Sequence, residues 1–293
     1  MKKTILAVLL ATLTGAVSAQ VTLSGKIGKA MDRTELGAVS ATGMITDPTS
    51  NFAITAVEKL GTTTARAVIE TSLSGNTFGG NETRLGDRQA TVGLSGKMGS
   101  VDFGRNVHSH FINITSNDVF ETVYGSVAGD VHPLYGLRMS DAVFASFSPM
   151  KNATVMLERT QTGGDEISVY GAALAMPKLN AMVTRYDYKN TTSNVLGLAA
   201  KAPMGINLHY VYSDNSGMLN HKGHLLGASK RSGNITYKAS WGKNEVMDVK
   251  NAYAIGADYH FSKRTSVGVA YNDVQRDNHA DRSSLGATIT HRF

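Results

Sequence analysis

Residues Ser283–Phe293 read SSLGATITHRF, and their alternation decides the fold. Leu285, Ala287, Ile289, His291 and Phe293 fall on one side of an extended strand; Ser284, Gly286, Thr288, Thr290 and Arg292 fall on the other. Terminal residues of soluble domains are usually loose and polar. Here the strand rhythm runs to the last residue, an aromatic one.

The same rhythm recurs upstream. In TSVGVAYND (265–273), Val267, Val269 and Tyr271 share a face, and Ser266, Gly268, Ala270 and Asn272 take the other. In NITYKASW (234–241), Ile235, Tyr237, Ala239 and Trp241 stand against Asn234, Thr236, Lys238 and Ser240. INLHYVYS (206–213) sets Ile206, Leu208, Tyr210 and Tyr212 against Asn207, His209 and Ser213. A period of two over eight or more residues signals strands, not helices.

The connections alternate in character. Short ones lie at 59–61, 96–100, 149–152, 176–179, 202–205, 230–233 and 262–264. Longer polar ones lie between them at 34–50, 74–87, 108–136, 161–165, 189–194, 214–223, 242–251 and 276–282. This pattern predicts about 16 antiparallel strands joined as hairpins, with short turns on one rim and long loops on the other. Aromatic residues support two girdles. Tyr186, Tyr188, Tyr210, Tyr212, Trp241, Tyr253 and Tyr271 are expected at the loop rim, and Tyr259 and Phe261 at the turn rim.

The expected fold class is therefore all-β, a transmembrane antiparallel barrel. Closure follows from hydrogen bonding, because each unpaired N–H or C=O in hydrocarbon costs several kcal/mol. Phe293 becomes the last lipid-facing residue of the closing strand.

The N-terminus agrees with export. Met1-Lys2-Lys3 is a charged head, Ile5–Leu13 is a short apolar run, and Val17 and Ala19 are small residues before a cut. Residues 1–19 are expected to be a signal peptide and 20–293 the barrel domain. Without Lys2 and Lys3 the chain holds 27 basic and 23 acidic residues, a net of +4. That balance leans toward anionic solutes and is too weak for nucleic acid. The absence of Cys excludes disulfides and thiolate metal sites.

Three stretches carry a family resemblance: RQATVGLSGKMGSVDFGRN (88–106), YHFSKRTSVGVAYN (259–272) and the closing THRF. They resemble the general porins of Gram-negative outer membranes, in particular the beta-proteobacterial branch. The resemblance implies a sixteen-stranded homotrimer embedded in outer-membrane lipid and lipopolysaccharide, passing ions and small hydrophilic solutes. It further implies a third long loop folded into the pore, basic wall residues facing acidic loop residues, and a terminal aromatic, here Phe293, read by the assembly machinery. Arg105 and Arg138 match pore-wall arginine positions, and Arg88 matches a third. Strict alternation puts Arg88 with Val92 and Leu94 on the lipid face, so it needs a bulge or a rim position. Parity alone aims Arg66 inward with Glu70. Asn51 stands where relatives often carry an arginine. On the loop, Asp118 and Glu121 are the expected counter-charges, with Asp130 behind them.

No enzyme, cofactor or metal site is expected. The HSH triplet at 108–110 has no orienting acid at a telling spacing and reads as polar loop surface. No nucleophile elbow or nucleotide motif appears. A substrate-selective channel and a surface adhesin barrel are the alternatives, and the shortness of most loops favours a pore.

Overall fold

The computed structural model describes residues 19–73, 85–121, 123–132, 138–162, 165–217, 220–245 and 248–293. The leader expected over 1–19 therefore lies, except for Ala19, outside the described residues, as does most of the connection at 74–87.

Seventeen strand segments among the described residues form one antiparallel sheet. They are β1 (Gln20–Leu36), β2 (Val39–Thr46), β3 (Asn51–Leu60), β4 (Thr63–Ser72), β5 (Gln89–Gly96), β6 (Gly99–Val107), β7 (Arg138–Met150) and β8 (Ala153–Thr162). β9 (Asp165–Ala175), β10 (Leu179–Tyr188), β11 (Thr191–Lys201), β12 (Ile206–Ser216), β13 (His221–Ser232) and β14 (Ile235–Asn244) follow. β15 (Val249–His260), β16 (Thr265–Arg276) and β17 (Arg282–Arg292) complete the wall.

β2 and β3 are two halves of one wall strand. β1 pairs with β2 from Lys29↔Thr46 to Leu36↔Val39, and with β3 from Gln20↔Val57 to Lys26↔Asn51. Residues 47–50 interrupt that strand, and their polar groups complete the ladder. Asp47 N–H donates to the Gly28 carbonyl, and Gly28 N–H donates to Ser50 Oγ, each at 3.0 Å. The wall thus has 16 strands. β1 also pairs with β17, from Lys26↔Arg292 to Leu36↔Arg282, and this seam closes the barrel.

The alternation sorts the two faces. Leu23, Val92, Phe103, Val183, Ile255, Val269, Leu285 and Ile289 are each at least half exposed on the outside. Such a continuous apolar surface suits lipid, not water. Inside, β6 and β7 are joined through two short helices, α1 (Ser109–Thr115) and α2 (Ala128–Val131). α1 packs on β9, β10 and β11, and α2 on β13, β14 and β15, so the long connection lies within the barrel.

Three expectations are corrected. Residues 34–50 are mostly a hairpin turning at Gly37 and Ala38, and 189–194 shrinks to the turn Lys189-Asn190. The upper parts of β1 and β2 are largely exposed, with Leu36, Val39 and Met44 set among polar residues on no single face, so they carry no regular apolar alternation to read. Tyr186 is no girdle residue: it is buried in the lumen beside Met139, Phe144 and Val169, and Tyr188 packs there too.

Phe293 belongs to the wall. Its N–H donates to the Gly25 carbonyl and its carbonyl accepts the Gly25 N–H, each at 3.0 Å. A Cβ at Gly25 would also strike its ring. Deleting Phe293 removes both bonds, a loss of about 1–3 kcal/mol. The folded barrel should then convert to the unfolded gel band at a lower temperature in heat-modifiability assays. An unshifted transition would mean the seam does not depend on this residue.

Candidate functional site

The lumen wall has two chemically different halves. On β11–β16 many inward residues are apolar: Val195, Val211, Leu225, Ala252, Ala254, Ala270 and Val274 are buried against loop residues Ile114, Val119, Phe120, Val127 and Val131. Glycines on the same face leave seats for the loop. A Cβ at Gly227 would come within 2.7 Å of Val119, and one at Gly242 within 2.6 Å of Val131. The loop occupies this half.

The opposite half, β4–β7, carries the arginines. Arg88 Nε meets Glu70 Oε1 at 2.5 Å, and Asn51 Nδ2 donates to the same oxygen at 2.9 Å. Arg105 Nε donates to the Asp87 carbonyl at 2.8 Å, and its Nη1 to Ser140 Oγ. Arg138 Nε donates to the Arg88 carbonyl at 2.7 Å. Arg105 and Arg138 thus meet on the 87–88 backbone, from which Arg88 itself reaches Glu70 and the Pro48 carbonyl. Arg66 stands apart, in a 3.0 Å ion pair with Asp102.

Local irregularities aim two of these side chains. Arg88 precedes the first residue of β5, a rim position where strict alternation no longer applies. At Arg105 the β6–β7 register shifts between Gly104 and Asn106. Gly104 has φ +124, where any side chain is strained, and so permits this bulge.

The three loop carboxylates are not brought together. Asp118 is buried; its Oδ1 accepts the Phe120 N–H at 3.0 Å and its Oδ2 the Ser126 hydroxyl at 2.6 Å. Asp130 is pinned to the wall by Arg282 at 2.7 Å and Arg276 at 3.1 Å. Glu121 is the exposed one, at 65% of its side chain, and lies 3.5 Å from Arg292. Beside it a cavity of about 100 Å³ is lined by Lys26, Tyr124, Lys238, Asp258 and Arg292. Sequence reasoning missed Lys26 and Lys238. Parity was the available signal, since Lys26 shares a face with buried Gly28 and Ala30.

The histidines are a correction. His108 and His110 are not polar loop surface but fully buried, as is His132. His110 bonds Thr184 Oγ1 at 3.1 Å and Ser193 Oγ at 2.9 Å, and His132 Nδ1 bonds Ser213 Oγ at 2.7 Å. Beside His108 and His110, both Glu158 oxygens accept the Ser109 N–H at 2.9 and 3.0 Å. Among the described residues no group of three or more His, Cys, Asp and Glu could hold a metal ion.

A family model described as Gram-negative porin matches residues 6–293. The fold is similar to an anion-selective porin from Comamonas acidovorans, with a TM-score of 0.79 and 17% identity over 94% of this chain and all of the other. It is also similar to Salmonella typhi OmpF in a complex with daunomycin, with a TM-score of 0.73 and 16% identity over 94% of this chain and 98% of the other. In-vitro folded Vibrio cholerae OmpT in its trimer form gives a TM-score of 0.66 and 10% identity, covering 94% and 99%. No curated protein matches the chain.

The buried histidines should make loop docking depend on pH. Burial, with His108 and His132 nearby, lowers His110 to about 3. Burial, with His221 and His224 nearby, lowers His132 to about 3. His110 meets two hydroxyls and His132 one, and Glu158 is spent on Ser109. A released loop would hold histidines near 6.5, so docking is full above that pH and weakens as pH falls toward 3. At pH 4.5 the two together cost about 5 kcal/mol. Single-channel conductance should therefore change reversibly between pH 6.5 and 4, and the change should shrink in a His110→Gln/His132→Gln variant. A flat wild-type profile would show that the histidines do not control docking.

Proposed function

This chain belongs to the Gram-negative porin family, and we propose that it is a general diffusion pore of the outer membrane that weakly favours anions. Small hydrophilic solutes and ions pass through its water-filled lumen by diffusion, with no chemical turnover and no cofactor. The observation that carries the reading is the gathering of Arg88, Arg105 and Arg138 on the half of the wall the loop leaves uncovered. Two of them are held by neutral carbonyl and hydroxyl groups, which fix a guanidinium without cancelling its charge.

Glu121 is the loop carboxylate that faces the passing ion. Asp118 and Asp130 act through the loop: one ties its internal turn and the other ties it to the wall. Arg66, half exposed but paired with Asp102, adds less. The protein works as a homotrimer in outer-membrane lipid and lipopolysaccharide. Phe293 also serves as the signal that the outer-membrane assembly machinery reads.

Geometry decides why the narrow lumen matters more than the rims. Two unit charges about 8 Å apart in bulk water interact by only ~0.5 kcal/mol. Salt screens exposed charges over about 8 Å, whereas a passage with low-dielectric walls concentrates the field. A few lumen charges then outweigh many at the mouth.

Replacing Arg105 and Arg138 together by Ala should shift the zero-current potential in a salt gradient toward cations. The anion-to-cation permeability ratio should fall roughly two- to fivefold, more at low salt. Glu121→Gln should move it the other way. Asp130→Asn should instead loosen the loop and raise conductance. An unchanged reversal potential in the double arginine variant would remove selectivity from this wall.

A further inference from the structure

Lys26 and Arg292 stand directly opposite each other across the β1–β17 seam. Both side chains aim into the lumen, because Lys26 shares a face with buried Ala30 and Arg292 with buried Ser284. Like charges directly opposite one another destabilise a sheet. Closure uses the backbone groups of these two residues and not their charges, so the seam itself gives no reason for the pair.

Each cation has a carboxylate beside it, and the two contacts are unequal. Lys26 Nζ lies 2.7 Å from Asp47 Oδ2, and both side chains are largely buried. It gives a second N–H to Thr49 Oγ1, which leaves a third. Arg292 lies 3.5 Å from Glu121, with nearly half of its side chain exposed. A carboxylate brought between the two cations would meet donors on both sides without displacing Asp47.

The cavity of about 100 Å³ beneath the loop tip joins this pair to an acid on its far side. The inner faces of β14–β17 and β1 form its floor, and Phe120 and Tyr124 form its roof. The roof is tied down. The Tyr124 hydroxyl lies 2.7 Å from Ser284 Oγ, and the Phe120 ring centre lies 5.7 Å from Lys238 Nζ. Asp258 Oδ2 takes Lys238 at 2.6 Å, and its Oδ1 lies over Gly268, where a Cβ would strike it.

Both signs of charge therefore line one enclosed space. A simple anion at the seam cations would face Asp258 and Glu121, and a simple cation at Asp258 would face Lys238 and the seam. A zwitterion suits both ends. Sheet geometry sets its length. Asp258 is level with Gly268 and Thr288, two strands and four residues from Arg292. Those spacings put the Asp258 and Arg292 Cα atoms roughly 16 Å apart. The two side chains span more than half of this, and the remainder matches two residues of extended chain, about 7 Å. The two charges of a single α-amino acid are too close together to reach both ends.

We propose that this cavity is a subsite for small zwitterionic dipeptides, with the peptide carboxylate between Lys26 and Arg292 and its ammonium group on Asp258. The inference rests on the reading of the chain as a diffusion pore and names a solute class for one part of its lumen; it does not use the arginine wall. Each charged end should contribute roughly fivefold to affinity.

Glycylglycine added to a single-channel recording at neutral pH should reduce the ion current in a saturable way. Its half-saturating concentration should be several-fold below those of glycine, of N-acetylglycylglycine, which keeps only the anionic end, and of glycylglycinamide, which keeps only the cationic end. In Asp258→Asn the advantage over N-acetylglycylglycine should vanish, and in Arg292→Gln the advantage over glycylglycinamide should shrink. Gel heat-modifiability checks that both variants are folded. An open wild-type channel that responds alike to all four solutes, or to none, overturns the proposal and leaves the pore reading standing. An advantage over N-acetylglycylglycine that persists in folded Asp258→Asn also overturns it. A protein with no ohmic conductance overturns the pore reading and this subsite together.

Discussion

A sheet that crosses hydrocarbon cannot leave an edge. Each unpaired backbone group there costs several kcal/mol, and water is not present to take its place. The β1–β17 seam is therefore the contact on which the rest depends. It fixes which side chains face lipid and which face the lumen, since a shift of one residue would exchange the two sets on every strand that follows. It also accounts for the reciprocal Gly25–Phe293 pair, which carries the ladder to the last residue of the chain. The interruption at 47–50 obeys the same constraint, because Ser50 and the Asp47 amide occupy the Gly28 backbone groups that a regular strand would have used.

A closed barrel of this size encloses more space than wall side chains fill. The connection between β6 and β7 occupies part of it by treating half of the lumen as a hydrophobic core. Val127, Ala128 and Val131 are as buried as the centre of a soluble domain, and their partners are inward residues of β13–β16. Polar contacts then fix the loop's position. Asn113 donates to Met182 and Val195 carbonyls and to Thr184, and Asp130 bridges two wall arginines. Asp118 and Asp130 thus brace the loop, and Glu121 is the exposed carboxylate.

This division explains what the sequence disclosed and what it withheld. Period-two alternation in 206–213, 234–241, 265–273 and 283–293 is a local signal, and each stretch is a strand with the expected face outward. The inward aim of Arg88 and Arg105 is not local. It depends on where β5 starts and on a bulge at Gly104, and a single glycine in a strand does not reveal which. The burial of His110 and His132 is less local still, because their partners Thr184, Ser193 and Ser213 lie more than 70 residues away. One trace was present. Val195, Val211, Leu225 and Val274 add apolar side chains to the lumen side of their strands, which a water-filled wall would not need. Apolar residues on both faces mark where a loop lies.

On the proposed reading, selectivity comes from how cations are held rather than from how many there are. Arg66, Arg276 and Arg282 are bound by carboxylates and contribute little net field. Around the 87–88 backbone, only Arg88 of the three arginines has a direct carboxylate partner, Glu70, while the Asp87 carboxylate is turned to the Ser72 N–H. Carbonyl and hydroxyl dipoles supply the remaining contacts, so the side chains are positioned and their charge persists. Arginine can serve in this way because its fork offers several donors and its charge does not titrate. A lysine at position 105 would keep the charge but could not bond the Asp87 carbonyl and Ser140 in the same planar geometry. The wall would then be equally basic and less rigid, and its field would move with the side chain.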